Sequence, residues 1–168
     1  GPIEKVHSIS FTGNTTFSDK KLLGQINLAP SGLFSFFTGS DKFSKQKLAA
    51  DVQLIRDFYD DHGYISNKVV PKVVVDKENN RVDLIFSVNE GVRYRFGQVT
   101  VNSAPSDRIF IDRVLASLNV KSSLWFSRSA LLTAKSKIID HLTKLGYAKA
   151  QVTFPEHMKI DLKNRKVD

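Results

Sequence analysis

The chain has 168 residues, 41% of them apolar, with 25 Lys+Arg against 17 Asp+Glu, a formal net charge of +8, and no cysteine. A disulfide framework, a cysteine-ligated zinc and a thiol nucleophile are therefore excluded, and redox chemistry gives no reading of the compartment. The apolar runs are far shorter than the roughly 18 residues that a membrane-spanning helix needs, and Gly1-Pro2 reads as a cleavage scar on an excerpt rather than as a signal peptide.

The charge is unevenly placed. Residues 1–92 hold 11 basic and 11 acidic residues, whereas residues 93–168 hold 14 basic and 6 acidic, so the whole excess lies in the second half. The two halves also share a pattern: "DFYDDHGY" at 57–64 and "DHLTKLGY" at 140–147 each close a helical stretch with Gly-Tyr. Short alternating strands precede them, with Ile9 and Phe11 matching Val99 and Val101. The first copy is longer, and the surplus falls in "LFSFFTGSDKF" at 33–43. Two domains of roughly 80 residues are expected, 1–92 and 93–168.

In the first domain, Val6 to Phe11 alternates with the period of a half-buried strand and ends in the turn Thr12-Gly13-Asn14. Ser18 is placed to cap a short helix over "DKKLLGQI". Pro30, Ser31 and Gly32 break it, and Ser44 is expected to cap a longer second helix. Leu48, Val52, Ile55 and Tyr59 form that helix's apolar stripe, and Gly63 suits its C′ position. Strands follow at Asn67 to Val75 and Val82 to Asn89, joined by "DKENN" with Asn79-Asn80 in the turn.

The second domain repeats the order with a strand at Phe96 to Val101, helices at Asp107 to Leu118 and Ser129 to Leu145, and a strand near Gln151 to Phe154. Leu131, Ala134, Ile138 and Leu142 face inward on its longer helix. "NRKVD" at 164–168 matches "NRVDL" at 80–84, the start of the first domain's third strand, so the second domain is expected to stop before its last strand. The fold is thus α+β, two tandem β-α-α-β-β units, each a mixed three-stranded sheet covered by two helices. Chain direction sets strand order 1-3-2: the hairpin makes strands two and three antiparallel, and the helix pair brings strand one parallel to strand three. Pro71 independently marks strand two as an edge, because proline cannot donate to a ladder.

Motifs for chemistry are absent. His7, His62, His141 and His157 lack metal-ligand spacing, His62 and His141 read as solvated or dipole-interacting residues at helix ends, and no "GxSxG" elbow or phosphate-cradling glycine loop occurs. Asp60 and Asp61 are helix neighbours that point apart. KH domains share the strand-helix-helix-strand core and suit a basic chain, yet their GXXG loop has no counterpart in "TGSDKF" or "NVKSSLWF". No catalytic activity, cofactor, metal, small-molecule substrate or nucleic acid is expected.

The segments "SISFTGNTTFSDKKL", "KQKLAADVQLIRDFYDDHGY" and "NRVDLIFSVNEGVRYRFGQVTV" resemble the POTRA domain pattern of the Omp85 family across essentially the whole chain. The longer loop of the first copy is similar to the third POTRA domain of that family's barrel-assembly members, which makes the second copy the fourth. The second copy departs from the pattern with "VNSAPSD" where Gly-Asn is usual. The resemblance implies a non-catalytic periplasmic module, attached to a parent outer-membrane barrel, that handles unfolded outer-membrane proteins and docks accessory lipoproteins. A secretion transporter of the same family is the alternative parent.

A physical mechanism accompanies it. An open sheet edge offers main-chain donors and acceptors to any strand-forming segment. Asn67, Lys68, Val69, Val70, Lys72 and Val73 are the expected contact residues, with Pro71 removing one donor; the same proline and lysines also blunt an edge against aggregation. Phe34, Phe36 and Phe37 are expected either to plug the core or to form a partner or inter-domain surface. Glu90, Gly91, Tyr94 and Phe96 are expected to form the inter-domain hinge.

Overall fold

The computed structural model describes residues 6–30, 33, 42–146 and 160–168. The chain divides into two compact units, one comprising 1–59 and 66–91, the other 60–65 and 92–168.

The first unit contains β1 (Val6–Thr12), α1 (Asp19–Leu23), α2 (Lys42–Asp61, whose last two residues count with the second unit), β2 (Lys68–Asp76) and β3 (Arg81–Asn89). Its sheet has the order β1-β3-β2, with β1 parallel and β2 antiparallel to β3. Val82, Leu84, Phe86 and Val88 alternate inward along the central strand, and Phe86 stacks on Phe11 with ring centroids 5.3 Å apart. Ile55 and Tyr59 of the α2 stripe are fully buried, and Leu48 and Val52 are half-buried. Each fully buried apolar side chain contributes roughly 1.5–3 kcal/mol, which is why one side of each element is apolar.

Ser18 caps α1 as its position suggested, its Oγ accepting from the Lys21 amide at 3.1 Å. Ser18→Ala is expected to cost about 1 kcal/mol of local stability, measured as faster hydrogen exchange at the Leu22 amide. Ser44 does not cap α2. The helix is already under way at Lys42, because nothing in "KFS" breaks it.

The β2–β3 turn is built as the sequence suggests, with Asn80 at φ 49°. Asp76 closes the turn: its carboxylate accepts from the Asn79 amide at 3.2 Å and from Asn79 Nδ2 at 2.8 Å. These bonds hold the Asp76 carboxyl below its usual range.

The second unit contains β4 (Arg95–Phe96), a 3₁₀ turn (Pro105–Asp107), α3 (Arg108–Ser117), α4 (Arg128–Lys144), β5 (Ile160–Asp161) and β6 (Lys166–Val167). Strand order again places the last strand in the centre, β4-β6-β5, parallel on one side and antiparallel on the other. The core joins Tyr94, Phe96, Ile111, Val114, Val120, Phe126, Ala134, Ile138 and Val167. Of the expected α4 stripe, Ala134 and Ile138 are buried and Leu131 and Leu142 half-buried.

The first strand ends at Phe96 rather than Val101, because β6 offers register partners only at Lys166 and Val167. Of the last strand only the beginning is present, Lys166–Val167, in keeping with the short match of "NRKVD" to "NRVDL". The strand near Gln151 to Phe154 lies outside the described residues, and the strand paired with β6 is Ile160–Asp161. The hairpin repeats the first unit's turn chemistry: Asp161 accepts from the Asn164 amide at 3.1 Å and from Nδ2 at 2.8 Å, and Arg165 takes φ 53°.

Candidate protein-binding edge

Strand β2 pairs with β3 along one side from Lys68↔Asn89 to Asp76↔Arg81, and no strand pairs with its other side among the described residues. Its side chains alternate. Lys68, Val70, Lys72 and Val74 face outward, Val70 with 62% of its surface exposed, whereas Val69 is buried and Val73 half-buried. The expected contact set therefore separates: Lys68, Val70 and Lys72 lie on the solvent face, and Val69 and Val73 serve the core. Val74 belongs with the outward residues, a position that counting by twos from Lys68 would have found.

Asn67 does not line this edge. It precedes the strand, is buried, and donates from Nδ2 to the Arg56 carbonyl at 3.4 Å. That bond turns the amide side chain toward the C-terminal half of α2 and away from the open edge.

The outer sheet face beside β2 is polar and partly self-satisfied. Ser8 Oγ donates to Asp83, Arg81 Nε donates to Asp83 Oδ2 at 2.6 Å, and Thr12 and Ser87 hydroxyls lie 3.3 Å apart. The hydrogen bonds from Arg81 and Ser8 hold the Asp83 carboxyl below its usual range. β1 is the other outer strand of this sheet; its outward side carries Ser8, Ser10 and Thr12, and it contacts α1. Exposed apolar surface is thus concentrated on β2.

Glu90 is held by hydrogen bonds within the first unit. It is buried, and its carboxylate accepts from Thr15 Oγ1 at 2.6 Å, from the Thr16 amide at 3.1 Å and hydroxyl at 3.1 Å, and from Tyr59 Oη at 2.8 Å. Burial pushes its pKa up, but the bonds from Thr15, Tyr59 and Thr16 outweigh that and hold it below the usual glutamate range. The turn "GNTT", the helix end "FY" and the exit "NEG" are therefore one hydrogen-bonded cluster, though residues 15 and 90 are 75 apart in sequence. Gly13 sits at its rim with φ 80°, where an added Cβ would overlap the Val88 carbonyl oxygen.

Gly91 follows at φ 70° and ends the first unit. Tyr94 and Phe96 are each 2% exposed and belong to the second unit's own core. Phe34, Phe36 and Phe37 lie outside the described residues; Leu33 beside them is fully buried. His141, expected to be simply solvated or near a helix dipole, stacks on Phe110 at 3.7 Å between ring centroids.

Among the described residues no group of three or more His, Cys, Asp or Glu side chains is arranged to hold a metal ion. No helix among them is long and apolar enough to cross a membrane. The arrangement offers main-chain hydrogen bonding along an open strand.

Comparison with known proteins agrees with this geometry. The family described as "POTRA: Surface antigen variable number repeat" matches residues 4–91. The chain is similar to the outer membrane protein assembly factor BamA of Neisseria meningitidis serogroup B, 27% identical over 156 residues that cover 91% of this chain and 19% of that protein. It is 29% identical over 153 residues to BamA of Neorickettsia risticii, covering 90% and 20%. The chain spans about a fifth of the length of these relatives. The crystal structure of Haemophilus influenzae BamA POTRA3-5 superposes with a TM-score of 0.62 at 23% identity, over 97% of this chain and 63% of that one, which shows a shared fold. With the family matched over more than half its length, and a β-α-α-β-β unit of strand order 1-3-2 in that stretch, this chain belongs to the POTRA family.

Proposed function

We propose that the chain is a pair of POTRA domains, the third and fourth of an outer-membrane β-barrel assembly protein of the BamA kind, working in the periplasm as a scaffold and not as a catalyst. Similarity to two proteins named as outer membrane protein assembly factors, each over nine-tenths of this chain, supports the assignment. Its partners are then unfolded outer-membrane proteins, accessory lipoproteins of the assembly complex, and the parent barrel.

The open side of β2 carries the mechanism. An incoming extended segment would continue the order β1-β3-β2 by one strand, gaining main-chain hydrogen bonds that are indifferent to its sequence. Val70 and Val74 would give alternate side chains of that segment apolar contact, and Lys68 and Lys72 would keep the unoccupied edge soluble. One short strand buries little area, so binding would be weak and exchangeable. That suits a scaffold that must release its clients.

Titrating the 168-residue chain with an end-blocked strand-forming peptide from an outer-membrane barrel, followed by amide NMR, tests this reading. Shifts concentrated on 68–76, with β1 amides unmoved, are the expected result. Unmoved β2 amides would reject augmentation, and shifts confined to β1 would transfer the site to the opposite edge. Family membership would survive either outcome.

A further inference from the structure

The second unit carries the whole charge excess, and one face of its sheet concentrates cations around the chain's single tryptophan. Arg95 pairs with Trp125 in an isolated antiparallel bridge and with Lys166 in the parallel β4–β6 ladder. Arg93, two residues earlier, shares the outward alternation, since Tyr94 and Phe96 turn into the core. Both guanidinium carbons lie over the indole, Arg93 at 4.1 Å and Arg95 at 3.7 Å from the ring centroid, and Arg93 is 5.8 Å from the Tyr64 ring. Trp125 remains 41% exposed.

The forks are positioned but not consumed. Arg93 Nε donates to the His62 carbonyl at 2.7 Å, and Arg95 Nη1 donates to the Ser123 carbonyl at 2.7 Å. Among the described residues neither guanidinium has a carboxylate within ion-pair distance. Each retains most of its five donors. The acid registered on this row, Asp161, faces Lys166 across β5–β6 and is held by Asn164.

Stacking on an indole orients a guanidinium while leaving its in-plane N–H edge open to a bidentate carboxylate. Arg93 and Arg95 are two residues apart, about 6.6 Å along an extended chain. Carboxylates at alternate positions of an extended segment repeat at the same distance. Tryptophan, tyrosine and arginine are also the residue types that dominate the energy of protein–protein contacts.

We infer that Arg93, Arg95, Trp125 and Lys166 form a docking patch for an acidic, extended segment of a partner protein, with Asp or Glu at alternate positions. Each carboxylate meets one guanidinium held against the indole, and the intervening side chain points away from the patch. This patch uses side chains of the second unit and is independent of augmentation at β2.

Because Trp125 is the only tryptophan, its emission reports occupancy directly. The 168-residue chain is titrated with an end-blocked Glu-Val-Glu-Val-Glu peptide, with the Gln-Val-Gln-Val-Gln peptide alongside. A saturating change in Trp125 emission with the glutamate peptide alone, lost at about 1 M salt where the screening length falls to about 3 Å, is expected. R93Q and R95Q should each raise the titration midpoint about tenfold, the loss of one charge-assisted contact. R95K should weaken binding as well, since an ammonium keeps the charge without the fork. Unchanged circular dichroism shows that each variant is folded, and the salt titration of the unaltered protein stands without any variant. Equal responses to both peptides, no response at millimolar peptide, or a Trp125 shift produced by phosphatidylglycerol vesicles and not by the peptide would overturn the proposal.

Discussion

Replacing Glu90 with alanine is expected to destabilise the first unit by about 3–4 kcal/mol, because the hydrogen bonds of a buried carboxylate to Thr15, Thr16 and Tyr59 are lost together. Tyr59 bears most of this loss. It is fully buried and its bond to the carboxylate lies farthest from water, whereas Thr15 and Thr16 reach solvent. Glu90→Gln keeps the shape and one carbonyl acceptor and should lose about half as much. Hydrogen exchange at the β3 amides, which belong wholly to the first unit, gives the measurement. Variants indistinguishable from the parent would show that the carboxylate is not what joins the turn to α2.

The pH dependence has a definite sign. Glu90's folded pKa lies below its unfolded value, so its stabilisation is complete above the unfolded pKa and disappears as pH falls through the folded one. The stability gap between the parent and E90Q should therefore be constant near neutrality and close on the acid side. A gap that widened on acidification would contradict the assignment.

Asp51→Ala is expected to cost about 2–4 kcal/mol through the same mechanism. Asp51 lies on α2 with 1% of its surface exposed, and its two oxygens accept from the Asn27 amide at 3.0 Å and the Leu28 amide at 2.9 Å. The carboxylate thereby holds the segment after α1 against the long helix. Asp51→Asn should recover only part of the loss, since its amide nitrogen would meet one of the two N–H groups donor to donor. Exchange at the Asn27 and Leu28 amides should accelerate well beyond that at β3. Uniform acceleration across the unit would point to general unfolding instead.

These carboxylates illustrate where sequence reading stopped. Asp51 sits one residue from Val52 of the apolar stripe and looks like any polar helix residue, because its partners lie 23 and 24 positions away. In the sequence Glu90 reads only as part of a short connection, whereas its partners are 31 to 75 residues distant. Arg93 and Arg95 were legible only as part of a basic half; that both guanidiniums meet Trp125 depends on how the 121–127 loop folds back along β4. On β2 alternation is readable, yet the sequence does not separate Asn67 from the strand, which starts one residue later, with the Asn67 side chain turned toward α2.

Local order along this chain was written in the sequence itself. Residue periodicity, the Ser18 cap, the Asn80 turn, the repeated Gly-Tyr and the proline in β2 each act over a few residues, and chain direction then leaves few ways to arrange three strands and two helices. Only the tertiary structure decided which charged groups are buried supports and which stay exposed at the surface. A carboxylate or guanidinium has the same local signature in either role, and what distinguishes the roles is a donor, acceptor or aromatic ring brought near from elsewhere in the chain.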